Sequence, residues 1–144
     1  MITWPHQIKM TFPNAYCPDA TYTVPPIKMV LKAAKWFYRK QRLKGMIWSE
    51  DYDCDNWARA FCVAMQRSHH LSQKKADPEH EKTEAVTAGE FHFISDKVGP
   101  HAIVAAFVEP EDSPFATEIF IEPQNGEQLW LTEQEQSSCF FCRF

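Results

Sequence analysis

Three polar side chains, far apart in the sequence, have the types that a cysteine hydrolase needs. Cys54 follows an acidic stretch and begins a segment with helical spacing, so its thiol is predicted at a helix N-terminus. The helix dipole and the unpaired N–H groups of a first turn stabilise a thiolate. His101 opens the apolar segment HAIVAAFV and Glu122 closes the segment FIE, which predicts an imidazole base and an orienting carboxylate at strand ends. The predicted chemistry is attack by the Cys54 sulfur on an acyl carbon.

The sequences around these residues resemble one known family. The segments DCDNWA, PHAIV and IEPQNG are similar to the papain-like cysteine protease domain that is fused to the fungal Marasmius-type agglutinin. The resemblance covers about residues 54–125. It implies Cys54 as nucleophile, His101 as base, Glu122 as orienting acid and Gln124 as a secondary polar contact.

The same resemblance bears on the oxyanion hole and on a cofactor. The backbone N–H of Cys54 is one expected donor to the oxyanion, and Gln124 or Asn56 is the second. The agglutinin protease depends on calcium, so Asp53 and Asp55 are candidate oxygen ligands for that cation. The residues themselves require no cofactor.

Competing residues exist for two of these roles, and one further motif stands outside them. His92, in GEFHFIS, competes for the role of base, and Asn125 competes for the role of orienting group. Cys139 and Cys142 form a C-x-x-C motif near the tail. A structural zinc site needs four ligands and no second pair matches, so this motif is predicted to pack in the core.

Helices in the first part of the chain must position Cys54. A length of 144 residues predicts one domain. Residues 1–26 contain five prolines and are expected to form an irregular arm of loops or short strands. Helical spacing begins at Ile27 and stops at Gly45, and it returns over residues 54–71. Residues 72–84 are polar and are predicted to form a surface loop.

Strands in the second part must position the histidine and the acid. Strand periodicity covers residues 85–94, 101–108, 117–122 and 128–131. An Asn-Gly pair at 125–126 predicts a hairpin between the last two strands. Helices followed by strands indicate an α+β fold. The resemblance implies the papain-like form of that class, a single papain-like domain with N-terminal helices packed on an antiparallel β-sheet.

The charge and the cysteine content limit the classes of partner and the cellular location that we expect. The net charge is −4, yet seven of the fifteen basic residues lie between residues 28 and 44. This balance argues against a general nucleic-acid binder. Five cysteines without a signal peptide predict reduced thiols, and no apolar run is long enough for a membrane span. We therefore expect a soluble, cytoplasmic protein with a peptide or protein substrate and no membrane partner, and the sequence indicates no oligomeric state.

These observations together predict a papain-like cysteine peptidase that cleaves an amide or isopeptide bond through a thioester on Cys54. Two alternatives stay open. The first is a non-enzymatic binding module on a papain-like scaffold that uses the basic helix 28–44. It is favoured by the absence of a glutamine from the stretch MIWSE before Cys54. The second is an acyl transferase of the transglutaminase type.

Overall fold

The computed structural model describes residues 1–50, 52–76, 78–79 and 84–144. In these ranges the chain forms four helices and eight strands. The helices are α1 (Pro5–Thr11), α2 (Ile27–Leu43), α3 (Cys54–Ala76) and α4 (Glu133–Ser137), and the strands are β1 (Ile2–Thr3), β2 (Tyr22–Thr23), β3 (Ala85–Val86), β4 (Ala88–Ser95), β5 (Gly99–Val108), β6 (Thr117–Glu122), β7 (Glu127–Leu129) and β8 (Phe141–Arg143).

The strands of the described residues form two sheets. The larger sheet has the order β7-β6-β5-β4-β8, and all of its neighbours are antiparallel. The smaller sheet has the order β1-β2-β3, in which β2 and β3 run parallel. Thr87 connects β3 to β4, and its hydroxyl donates to the carbonyl of Phe107 in β5 at 2.7 Å. The two sheets are therefore joined through one buried threonine.

Helices α2 and α3 cover one face of the larger sheet. Side chains alternate along a strand, so the even-numbered residues of β5 from Ala102 to Val108 point to this face. They form a core with both helices, and the members of this core with the largest side chains are Phe37, Trp57, Phe61, Met65, Ile119 and Ile121. This packing fixes the N-terminus of α3 against the beginning of β5.

The other face of the sheet is covered by the N-terminal residues. Ile8 of α1 and Phe12, which directly follows that helix, are buried against the odd-numbered residues of β5. The Phe12 ring lies between 5.5 and 6.2 Å from the rings of four other phenylalanines, Phe91, Phe107, Phe120 and Phe144. The sheet is thus buried on both faces.

The predicted fold class is corrected by this architecture. We expected helices followed by strands, in an α+β fold with helices on one antiparallel sheet. The structure instead mixes helices and strands along the chain, with α1 between β1 and β2 and with α4 between β7 and β8. It also contains a second sheet with a parallel pair of strands. The strands of that sheet have two residues each, which is too short for any periodicity to be visible in the sequence.

Single elements agree with the sequence to different degrees. The helix predicted from Ile27 is confirmed, and Gly45 follows its end with a φ of +75°. The predicted arm contains a helix, α1, that the sequence analysis missed. The polar loop predicted over residues 72–84 is wrong in its first part, because α3 continues to Ala76. Residues 77 and 80–83 of that loop lie outside the described residues. The single-domain organisation stays a prediction.

Candidate functional site

His101 and Glu122 meet at one end of the larger sheet. The His101 Nε2 atom lies 2.7 Å from the Glu122 Oε2 atom, and both side chains are largely buried. A carboxylate only accepts hydrogen bonds, so His101 donates from Nε2, and in the neutral ring Nδ1 is then an acceptor. The antiparallel pairing of β5 with β6 explains the contact, because it brings the start of one strand beside the end of the other.

The turn after β6 positions the Glu122 carboxylate through a backbone hydrogen bond. The backbone N–H of Gln124 donates to the Glu122 Oε1 atom at 3.1 Å. Asn125 does not orient the imidazole, because its Oδ1 atom accepts from the backbone N–H of Glu127 at 2.9 Å. Gly126 follows with a φ of +74° and lies against the backbone of α2. The turn therefore fixes the carboxylate relative to both the sheet and the helix.

Cys54 begins α3, as predicted, but its surroundings do not favour a thiolate. Burial raises the pKa of the Cys54 thiol, and the negative charges of Asp53 and Asp55 raise it further. Backbone hydrogen bonds at Ala102 and Asp55 act in the opposite direction but do not reverse the shift. A raised pKa means that less thiolate is present at neutral pH, so the sulfur is a weaker nucleophile than a free thiol.

The cysteine and the histidine are neighbours along the sheet without being hydrogen-bonded. The Cys54 thiol lies at the backbone of Ala102 and packs on the helical face of the sheet. His101 is an odd-numbered residue of β5, so its ring lies on the other face of the sheet. There its ring centroid lies 6.0 Å from that of the Phe93 ring. Among the described residues, no hydrogen bond joins the thiol to the imidazole. The structure thus brings together His101, Glu122 and the Gln124 backbone, and it places Cys54 beside them.

His92, the competing base, belongs to a different cluster. Its Nε2 atom lies 3.4 Å from a carboxylate oxygen of Glu90, a side chain that is almost fully buried. Arg59 of α3 reaches the same carboxylate, with its Nε atom at 3.3 Å. Arg59 thus offsets the buried negative charge of Glu90 between α3 and β4, which is a structural role.

The two acids beside Cys54 interact with each other. A hydrogen bond between their side chains lowers the pKa of Asp53 and raises that of Asp55. Asn56, a candidate oxyanion donor, gives its side-chain N–H to Asp53 at 3.2 Å. In the described part of the chain, no three His, Cys, Asp or Glu side chains lie close enough to hold a metal. Calcium takes six to eight oxygen ligands, so two carboxylates do not form its site. A calcium requirement stays a prediction.

A second surface, which the sequence analysis only partly recognised, lies on α2. Trp36 is 56% exposed, and the Nζ atom of Lys40 lies 4.8 Å from its ring centroid. Lys32, Lys35 and Arg39 are also exposed on this helix. The sequence analysis identified the basic residues but missed Trp36. The exposure of Trp36 could be predicted from the sequence, because this residue lies outside the apolar spacing that begins at Ile27.

No helix within the described ranges has the length and apolar character needed to cross a membrane. The expected cytoplasmic location stays a prediction.

Comparisons with known proteins place the fold beside fungal lectin structures. No protein-family model matches the chain, and no curated protein matches it. A chain from the complex of PSL1a with E64 gives a TM-score of 0.65 at 21% identity, over 99% of this chain and 51% of that one. Polyporus squamosus lectin, bound to the human-type influenza-binding epitope Neu5Acα2-6Galβ1-4GlcNAc, gives 0.65 at 22% identity, over 99% and 49%. The chain spans about half of each matched chain.

These comparisons correct the expected family and activity. The matching structures are PSL1a and Polyporus squamosus lectin, so the predicted papain-like cysteine protease domain, its fold and its hydrolase activity are not supported. The geometry agrees with this correction, because the Cys54 thiol is half-buried near the carboxylates of Asp53 and Asp55 and, among the described residues, forms no hydrogen bond with His101. Neither the predicted peptidase nor the predicted acyl transferase is supported, and the alternative of a binding module stays a proposal. A peptide or protein substrate is likewise unsupported. The roles of Cys54, His101, Glu122 and Gln124 as site residues stay predictions.

Proposed function

We propose that this chain is a non-enzymatic binding module that recognises an acidic glycan on the exposed face of α2. The observation that carries the proposal is the pair formed by Trp36 and Lys40, in which an ammonium group lies over an exposed indole ring. An aromatic ring packs against the apolar face of a sugar, and an ammonium group pairs with a carboxylate. The two side chains offer both contacts at one place.

The basic residues around Trp36 and Lys40 also favour an acidic ligand. Lys28 forms an ion pair with Glu111 at the start of α2. Lys32, Lys35 and Arg39 form no ion pair with any carboxylate of the described residues. Their charges are therefore available to an anionic ligand, although salt will weaken the attraction because the groups are exposed.

The structural comparison supports the ligand class. Polyporus squamosus lectin was solved with a glycan that carries sialic acid, whose carboxylate matches the positive face of α2. This chain matches about half of that protein, so the transfer of a glycan ligand to this half is part of the proposal.

Binding of Neu5Acα2-6Galβ1-4GlcNAc, measured by isothermal titration calorimetry at low salt, tests the proposal. The matched probe Galβ1-4GlcNAc lacks the carboxylate and should bind at least about tenfold more weakly, as expected for the loss of one charge-assisted contact. Trp36→Ala and Lys40→Gln should each weaken binding of the sialylated glycan by a similar factor.

Trp130→Ala is the matched control, because this tryptophan is 85% exposed and has no cation over its ring among the described contacts. It should leave the affinity unchanged. Equal binding of the two glycans, an unaffected Trp36→Ala variant, or no binding at all would each overturn the proposal. In the last case, glycan recognition in the matched lectin belongs to the half that this chain does not cover.

We propose, as a second candidate, that Cys54, His101, Glu122 and Gln124 line a separate ligand site at the end of the sheet. The specific observation is the buried contact of 2.7 Å between His101 and Glu122, which leaves a ring nitrogen free to accept a hydrogen bond. One matched structure is a complex with E64, so E64 is a suitable probe for this chain. We propose binding here, not cleavage of the ligand.

Alkylation of the thiols by N-ethylmaleimide, read by peptide mass spectrometry with and without E64, tests this site. E64 should protect Cys54 from labelling without adding its own mass to the Cys54 peptide, because its epoxide alkylates only a reactive thiolate, and it should leave Cys139 unprotected. Glu122→Gln should reduce the protection, because the contact that holds His101 is weakened. Equal labelling of Cys54 with and without E64 would remove this candidate.

A further inference from the structure

The C-x-x-C motif packs in the core, as predicted, and it also borders a cavity. Cys139 follows α4, and Cys142 lies in β8. Both cysteines line a cavity of about 460 Å³, which is bounded on the other side by residues 11–15 of the N-terminal segment. The cavity connects the dithiol to the surface beside α4.

The two thiols differ in exposure and in pKa. Cys142 is only 2% exposed, whereas Cys139 is half-buried. A hydrogen bond from Cys142 lowers the pKa of Cys139 and raises that of Cys142. The Cys139 sulfur also lies 3.5 Å from the carbonyl oxygen of Phe141. The accessible sulfur is therefore the better nucleophile, and the buried one holds a proton beside it.

We propose that Cys139 and Cys142 form a redox-active dithiol that exchanges two electrons with a low-molecular-weight disulfide. In the first step the Cys139 thiolate attacks one sulfur of that disulfide, which gives a mixed disulfide and releases one thiol. In the second step the Cys142 thiol loses its proton to solvent, and its sulfur attacks Cys139 and releases the second thiol. The protein gains one disulfide and the small disulfide becomes two thiols, so atoms and electrons balance.

The covalent spacing suits this reaction. A C-x-x-C pair closes a small ring, and both cysteines line the same cavity. Cys17 and Cys62 both lie near enough for their charges to affect Cys142, so they are the competing partners. Neither has a C-x-x-C neighbour, and Cys54 at the start of α3 also lacks one.

The full chain can be tested in buffers of oxidised and reduced glutathione. After acid quenching, N-ethylmaleimide blocks the free thiols and trypsin digests the protein. The chain has no lysine or arginine between Lys97 and Arg143, so both cysteines fall in one tryptic peptide that contains no other cysteine. We expect this peptide to lose two hydrogens and to take up no label, and dithiothreitol should restore both labels.

The oxidised form should appear at a glutathione disulfide-to-thiol ratio at least about tenfold lower than the ratio that modifies Cys54. Cys142→Ala should keep glutathione on Cys139, because the resolving thiol is absent. Cys17→Ser, the matched control, removes a competing thiol and should leave the response of the dithiol unchanged. A peptide that keeps two labels in oxidised glutathione, or a Cys17–Cys142 linkage in its place, would overturn the proposal. Both results are read on the wild-type chain, so they do not depend on the folding of a variant.

Discussion

At the level of single residues, the electrostatic surroundings of Cys54 oppose the effect of its position. A helix N-terminus favours a thiolate by up to a few kcal/mol. Burial and the carboxylates of Asp53 and Asp55 nevertheless leave the thiol with a raised pKa. The proton is therefore retained at neutral pH, and the thiolate forms only as the pH rises above the pKa of a free thiol.

Asp53→Asn tests this balance, because the amide keeps an oxygen that accepts from the N–H of Asn56 while the charge disappears. We expect the pKa of Cys54 to fall and the rate of iodoacetamide labelling at pH 8 to rise about two- to threefold. The measurement is the labelling rate of the Cys54 peptide as a function of pH. Asp112→Asn, in an exposed turn beyond the other end of β5, removes the same charge and should have no effect. Rapid labelling of the wild-type Cys54 at pH 6 would contradict the assigned electrostatics.

Part of the candidate site could be predicted from residue types and strand order. The proximity of His101 and Glu122 follows from the antiparallel pairing of two predicted strands, and the structure shows their contact. The environment of Cys54 could not be predicted in the same way. Its acidic neighbours are visible in the sequence, but the burial that dominates the pKa depends on how α3 packs against β5.

At the level of elements, the turn between β6 and β7 depends on its contact with α2. Gly126 has a φ of +74°, and a Cβ atom there would lie 2.9 Å from the carbonyl oxygen of Ala34 and 3.0 Å from the Cα atom of Lys35. Gly99, the first residue of β5, has a similar φ of +77° but open space around it. A comparison of substitutions at the two glycines therefore separates the cost of backbone strain from the cost of steric contact.

Gly126→Ala and Gly99→Ala should therefore differ in stability. Gly99→Ala should lower the free energy of unfolding by about 1–2 kcal/mol, the cost of a left-handed backbone for alanine. Gly126→Ala should lower it by about 2–4 kcal/mol, because the methyl group also forces the turn away from α2. Urea unfolding of both variants gives the comparison. Equal losses would show that the turn does not rest on the helix.

Long elements were predictable, and short ones were not. The helix α2 has seventeen residues, and its apolar spacing identified it. The hairpin between β6 and β7 was marked by its Asn-Gly pair and is confirmed. By contrast, β8 has three residues and α4 has five, so neither shows a period. Their positions depend on pairing with β4 and on a capping interaction of Thr132 with Glu135.

At the level of the whole molecule, the N-terminal residues complete the core. The sheet without α1 would expose an aromatic face, since Phe91, Phe107 and Phe120 all contact the Phe12 ring. The sequence analysis treated residues 1–26 as an irregular arm, because their prolines interrupt any long pattern. The role of this segment in burial could be seen only from the three-dimensional arrangement.

Phe12→Ala should therefore act as a core substitution although it lies near the chain start. Truncation of a buried phenylalanine costs about 3–5 kcal/mol, which is a large share of the 5–15 kcal/mol that stabilises a typical domain. Met10→Ala, two residues earlier and inside α1, removes a side chain that is 82% exposed and should change stability by less than about 0.5 kcal/mol. Urea unfolding monitored by tryptophan fluorescence compares the two variants. A loss below about 1 kcal/mol for Phe12→Ala would mean that the N-terminal helix is a dispensable cover, and the cavity that it shares with Cys139 and Cys142 would then be open to solvent.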